Sequence, residues 1–163
     1  MLAQLIRKKA RKYPIGLLRW LANWWSPFRG AGIRVIKVSP DYRFVEVEMK
    51  LRWFNKNYVG THFGGSLYAM SDPFLMMMLM NNLGPDYIIW DKAAKIDFKK
   101  PGRGTVHASF KLDEDEIIKI KSAADAHGKY LFDRVVNIVD DSGEVVAEVV
   151  KTLYVRRRVS HKD

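Results

Sequence analysis

A chain of 163 residues, 48% of them hydrophobic, has enough apolar mass for one domain with a core of its own. It contains no cysteine, which excludes disulfides and thiolate metal sites and fits a reducing, cytoplasmic setting. The net charge is +10, yet nine basic groups and no acid fall in residues 1–40, leaving 19 basic against 18 acidic groups elsewhere; a near-neutral body argues against nucleic acid gripped across the whole fold.

The chain opens with a basic, aromatic stretch, Met1–Phe28, cut by Pro14 and Pro27 and lacking the continuous apolar segment of a signal peptide. Leu17, Leu18, Leu21 and Trp24 or Trp25 recur near helical spacing, which predicts a short amphipathic helix from about Ile15 to Trp25. Its Trp face is expected to pack on the body; the alternative is weak peripheral contact with an anionic membrane, since Trp with Lys and Arg suits that interface. Residues 1–30 are therefore read as a helical extension and 31–163 as the main domain.

Ile33–Val38 predicts a strand, and Phe44–Trp53 a clearer one. There Val45, Val47, Met49, Leu51 and Trp53 alternate with Glu46, Glu48, Lys50 and Arg52, the period of a strand with one wet face. Asn57–Pro85 follows, entered through Gly60, Gly64 and Gly65 and stopped by Gly84-Pro85. From Gly65 to Leu83 it is apolar nearly all round, which predicts a buried helix. Between Lys56 and Asp86 the one formal charge is Asp72. A carboxylate in an apolar helix is costly unless it is paired or neutralised, which marks Asp72 as the first candidate functional residue. Two local readings apply: Asp72 caps a second helix whose first residue is Pro73, or Pro73 kinks one continuous helix beside it. The apolar residues on both sides favour the kinked helix. Met70, Met76, Met77, Met78 and Met80 read as adaptable core or dimer packing.

Tyr87–Phe98 is the next strand, with Ile88, Trp90, Ala94, Ile96 and Phe98 in phase; Lys99–Gly104 is a turn, and Thr105–Leu112 returns. Asp113 to Glu116 supply the acidic first turn of a second helix that Gly128 ends. Tyr130–Asp140 and Glu144–Arg157 form a last hairpin. This order predicts an α+β fold, an antiparallel sheet around one long helix. The histidines His62, His107, His127 and His161 show no metal-ligand spacing, so no metal is expected.

The motif Asn57-Tyr58-Val59-Gly60-Thr61-His62-Phe63-Gly64-Gly65, with Asp72 beyond it, resembles the hotdog-fold acyl-CoA thioesterases. It is most similar to the phenylacetyl-CoA thioesterase type and, within it, to a bacterial branch described only as a domain of unknown function. The resemblance covers roughly Ala31 to Arg157 and makes residues 31–163 the hotdog domain. It implies that Asp72 is the nucleophile or general base toward a thioester and that the Gly65 N–H, beside Gly64, faces the thioester oxygen. It implies that Asn57 places water or substrate, and that Asp91 is the polar group on the strand after the helix. It also implies an acyl-CoA or other acyl thioester substrate, coenzyme A entering only as part of that substrate. The protein would be a homodimer or a dimer of dimers, with each site shared between protomers. The family usually has His-Gly-Gly, whereas here Phe63 takes that place and His62 sits one residue earlier.

Backbone N–H groups at a glycine-started helix would favour a developing oxyanion, and a desolvated carboxylate beyond it can activate water. No Gly-Lys-Ser/Thr follows the glycines, so a P-loop is excluded. Lys99, Lys100 and Arg103 are candidates for gripping coenzyme A phosphates. By strand phase Asp91 groups with Lys95, Asp97 and Lys99 on the wet side. The rival readings are a non-catalytic acyl-CoA-binding protein and a hydratase or dehydratase using His62.

Overall fold

The alternation after Tyr42 closes as a strand because Val45, Val47 and Met49 face inward and are almost fully buried, while the glutamates between them face out. That strand, β2 (Phe44–Lys50), ends before Leu51; Trp53 is in a turn and exposed rather than the strand's last inward residue. The computed structural model describes residues 15–158; the basic run before Ile15, and His161, lie outside the described residues. Two helices, α1 (Ile15–Trp24) and α2 (Ser26–Ala31), lead into β1 (Ile33–Val38), which pairs with β2. The central helix spans Gly64 to Leu83 in two segments, α3 (Gly64–Ala69) and α4 (Phe74–Leu83). Then come β3 (Tyr87–Phe98), β4 (Thr105–Lys111), α5 (Glu114–His127), β5 (Lys129–Asp140) and β6 (Val145–Arg157).

The strands make one antiparallel sheet in the order β1-β2-β4-β5-β6-β3. Val47, Ala108, Ile138, Ala147 and Phe98 stand in one row across five strands, and the row faces the central helix. Phe74, Leu75, Met78, Leu79 and Leu83 of α4 supply the other side of the core. Alpha-helix α5 meets α4 and lies against β5 and β6 through Ile117, Ile120 and Ala124. Its ends are as expected, three acids in the first turn and a left-handed Gly128 after the last. The α+β architecture with an antiparallel sheet around a central helix is the one expected.

Two expectations are corrected. The central helix is not one continuous kinked rod. Its backbone tightens at the end of α3, where Ser71 and Asp72 N–H groups donate to the carbonyls of Tyr68 and Ala69, and helical bonding restarts with Met77 N–H to Pro73 O. Pro73 has no N–H to continue the ladder, so the break falls beside it. Strand β3 also changes phase. Tyr87 and Ile89 are buried and Trp90 is exposed, the reverse of the phase read from Ile88 and Trp90. A bulge between Asp91 and Ala93 then shifts the register, so Phe98 does face inward.

The Trp face of α1 is only partly covered by the body, with the Trp25 ring 5.0 Å from the core ring of Phe28. Trp20, Trp24 and Trp25 are each half or more exposed. The helix is also held by its polar face: Asn23 Nδ2 donates to Val35 O at 3.2 Å, Val35 N–H donates to Asn23 Oδ1 at 2.7 Å, and Arg19 donates to Ile36 O. The asparagine amide thus pairs with β1 as a neighbouring strand would, covering an edge that would otherwise be open to another chain. Asn23→Ala should lower stability by about 1–3 kcal/mol, two backbone groups losing their partners. Denaturant unfolding checks the cost, and hydrogen exchange should show the loss concentrated at Val35 and in α1.

Candidate functional site

The break in the central helix opens a gap above the inward face of β6. Along that strand Ala147, Val149, Lys151, Leu153 and Val155 are all buried, so the lysine occupies a position its neighbours fill with hydrocarbon. Its side chain is 1% exposed. An ammonium group so enclosed requires anionic partners, and two are present. Lys151 Nζ donates to Asp72 Oδ1 at 2.8 Å, in the helix break, and lies 3.1 Å from Asp91 Oδ2, on β3. The ring of Tyr68 adds a face 5.5 Å from Nζ. Asp72 therefore does not act as a helix cap; no side chain caps α4.

The bulge in β3 is what turns Asp91 inward, placing it opposite Leu153 with Ala94 opposite Lys151. The expectation that it lies on the wet face fails because simple alternation does not carry across an inserted residue. Burial raises the pKa of Asp91, hydrogen bonding of its protonated form to Asp72 raises it further, and Lys151 opposes both. Asp91 Oδ1 is enclosed and has no hydrogen-bond partner in the protein. Burial alone would lower the pKa of Lys151; its hydrogen bond to Asp72 and the charges of both aspartates outweigh it, so the net direction is up and the ammonium form is held. Asp72 is the open member of the cluster, its side chain 43% exposed against 17% for Asp91.

The other expected site residues gather at the opposite end of α3. A cleft of about 560 Å³ is lined by Asn57, His62, Gly64, Lys99, Lys100 and Arg103, among others. A Cβ on Gly64 would stand 2.8 Å from the Phe98 ring and one on Gly65 2.5 Å from the Phe63 ring, so both glycines lie close against exposed aromatic side chains. Asn57 is fully engaged in its own loop: its amide donates to Thr61 Oγ1 and His62 O and accepts from Val59 and Thr61 N–H groups. His62 is buried, with Nε2 3.1 Å from Gly104 O and Nδ1 unpartnered. Because a carbonyl can only accept, Nε2 bears the hydrogen; burial lowers the pKa of the ring, against the Gly104 bond. Lys100 pairs with Asp140 and Glu144, Lys99 reaches Glu148 at 3.8 Å, and Arg103 makes no ion pair among the described residues. The six residues of α3, about 9 Å of helix, thus separate Asp72, Asp91 and Lys151 from the glycine end. No group of side chains suited to a metal occurs among the described residues. Lys151 is the residue that sequence reading missed; its signal was a lysine in the inward phase of an otherwise apolar strand.

The model of a domain of unknown function, DUF4442, matches residues 16–155. The chain belongs to the DUF4442 family. No curated protein matches it. Among solved structures, this DUF4442 chain is similar to a Pseudomonas aeruginosa protein of unknown function, described as a probable thioesterase. The two are 23% identical, with 90% of this chain and 97% of the other covered at a TM-score of 0.77. A Haemophilus influenzae thioesterase is 14% identical, over 93% of this chain and 96% of its own, with a TM-score of 0.63. The Escherichia coli PaaI protein, from the phenylacetic acid degradation operon, is 16% identical over 88% and 91%, with a TM-score of 0.57. These likenesses establish the hotdog fold for the DUF4442 chain.

Replacing Lys151 by Met should leave two inward carboxylates without their cation. A loss of about 3–5 kcal/mol is expected near neutral pH. Because Asp91 is then the group whose burial most favours protonation, the loss should shrink as the pH is lowered toward 4. Combining Lys151→Met with Asp72→Asn and Asp91→Asn should recover most of it, which chemical denaturation of the two variants would measure.

Proposed function

We propose that the chain is an acyl-CoA thioesterase in which Asp72 is the working carboxylate. The observation that carries this reading is the placement of Asp72: in the break of the central helix, open to solvent on one side and fixed from beneath by the enclosed Lys151. A positioned carboxylate of this kind can take a proton from water as the oxygen attacks the acyl carbon. The carbon–sulfur bond then breaks, and the thiolate of coenzyme A leaves with the proton that Asp72 received, so the products are a carboxylic acid and a thiol. Asp91, hydrogen-bonded to Asp72 when protonated, tunes its partner, and Lys151 holds the pair in place. The Gly65 N–H supplies a donor for the developing oxyanion, and Lys99, Lys100 and Arg103, beside the cleft at that end of α3, meet the phosphates of coenzyme A. Because α3 separates the glycine end from Asp72, the reading includes a homodimer, with a second copy completing each site. The outer edge of β3, which pairs with no strand among the described residues, supports that contact. Solved relatives described as thioesterases support the choice of reaction.

The hydratase reading needs a histidine beside a carboxylate, and His62 bonds Gly104 instead. A second reading has its own observation: a fully buried lysine between two aspartates is also how a polar core element is satisfied without catalysis.

Asp72→Asn separates the two, because it keeps the shape and removes the basic oxygen. Loss of a positioned acid–base group costs about 10²–10⁴ in rate. With a panel of acyl-CoA substrates, kcat should fall at least a hundredfold while the variant remains folded by its unfolding transition. Wild-type turnover on the panel with the variant within a few fold of it would assign Asp72 to the core alone.

A further inference from the structure

Of the nine basic residues that precede the first acid, Asp41, the four among the described residues, Arg19, Arg29, Arg34 and Lys37, belong to the same α1–β1 segment as an exposed set of aromatic side chains. Along α1, Leu17, Trp20, Leu21 and Trp24 follow helical spacing on a face left about half open to solvent. Their exposures run from 39% to 55%, and Trp25 in the adjoining turn is 50% exposed. The polar face of the same helix is the one that holds it to β1, through Asn23 and Arg19. The apolar stripe, which a surface helix usually buries against the core, is here left incompletely covered. Arg19 lies on the same helix and the Arg29 guanidinium stands 4.6 Å above the Trp24 ring, while Arg34 and Lys37 are exposed on the adjoining strand β1. Behind the face lies an apolar cavity of about 470 Å³, walled by Leu21, Trp24, Trp25, Phe28, Phe74 and Met77 among others. No helix among the described residues is long and apolar enough to cross a membrane, so whatever this face meets, it meets from the side.

We infer that the α1–α2 face is a docking surface for an anionic lipid bilayer, on which α1 lies in the interfacial plane with its Trp and Leu side chains immersed and its basic ring against the headgroups. Three physical features point to lipid. Tryptophan combines a large apolar body with one N–H and suits a boundary between hydrocarbon and water. The basic groups match a negatively charged surface, and each adds to the affinity of a basic segment near it. A second copy of the chain would bring the same cationic ring against itself, so like-charge repulsion opposes self-association through this face. The leucines and the apolar cavity, idle against nucleic acid, fit hydrocarbon. This inference does not depend on the thioesterase reading.

The test is co-sedimentation of the full chain with vesicles of phosphatidylcholine alone and of phosphatidylcholine with about a third phosphatidylglycerol, with Trp fluorescence followed in parallel. Binding is expected to the anionic vesicles only, with a blue shift of the emission, and to weaken as salt is added. Arg29→Gln/Arg34→Gln/Lys37→Gln should weaken it about a hundredfold, given roughly a tenfold effect per one to two charges removed. Trp20→Ala/Trp24→Ala should weaken binding and abolish the blue shift, with the unfolding transition confirming that the variant is folded. Absence of binding to anionic vesicles at low salt would overturn the proposal. So would equal binding to both vesicle types, or an unchanged affinity in the Trp variant. A concentration-dependent dimer that the Trp substitutions dissolve, without vesicle binding, would assign the face to a second copy and overturn it as well.

Discussion

A lysine ammonium enclosed in a hydrocarbon layer must be answered by negative charge, and much of the site's geometry follows from how Lys151 is answered. Its position on β6, in the inward phase between Val149 and Leu153, leaves space for anions from two directions. One comes from above, where the central helix breaks beside Pro73 and lets Asp72 reach down. The other comes from the neighbouring strand, where the bulge at Asp91–Ala93 turns a residue inward that simple alternation would have turned out. Helix break and strand bulge are each a loss of regular hydrogen bonding, and the ion cluster is what they hold in common. Replacing such clusters with hydrocarbon is often neutral or stabilising, so this one is not explained by stability alone.

Much of the fold was legible because it rests on periodicity. Val45, Val47 and Met49 repeat every second residue and are buried; the helix from Gly64 to Leu83 is apolar on nearly every side and forms the core; Glu114 to His127 carries its acids and its terminal glycine where they belong. What was not legible depends on departures from periodicity. An inserted residue in β3 reverses the phase of everything before it, which moved Asp91 from the wet face to the interior and exposed Trp90. The role of Asp72 was readable as a lone charge in an apolar run, but its partner was not, since Lys151 lies 79 residues away in sequence and only the sheet register brings it near. Helix α1 misled for a different reason. Its amphipathic spacing was real, but spacing does not say which face turns inward, and here a single asparagine bonded to a strand edge outweighs the aromatic stripe.

The two ends of the sheet are treated differently. The β1 edge is closed by Asn23 and carries the basic, aromatic surface, whereas the β3 edge is open and runs past the ion cluster. Among the described residues, the basic groups that precede Asp41, namely Arg19, Arg29, Arg34 and Lys37, lie at the β1 end, away from the carboxylates of the ion cluster.

The claim on which this account rests is that Asp72, Lys151 and Asp91 form one electrostatic unit in which burial and the hydrogen bond to Asp72 keep a proton on Asp91 beyond its ordinary range. The most direct measurement is a carboxyl-carbon NMR titration of the aspartates in the intact protein. The account predicts that the Asp91 resonance titrates above the usual aspartate value of about 3.9, as a member of a coupled pair. An Asp91 that titrates at or below that value, independently of its neighbours, would contradict it.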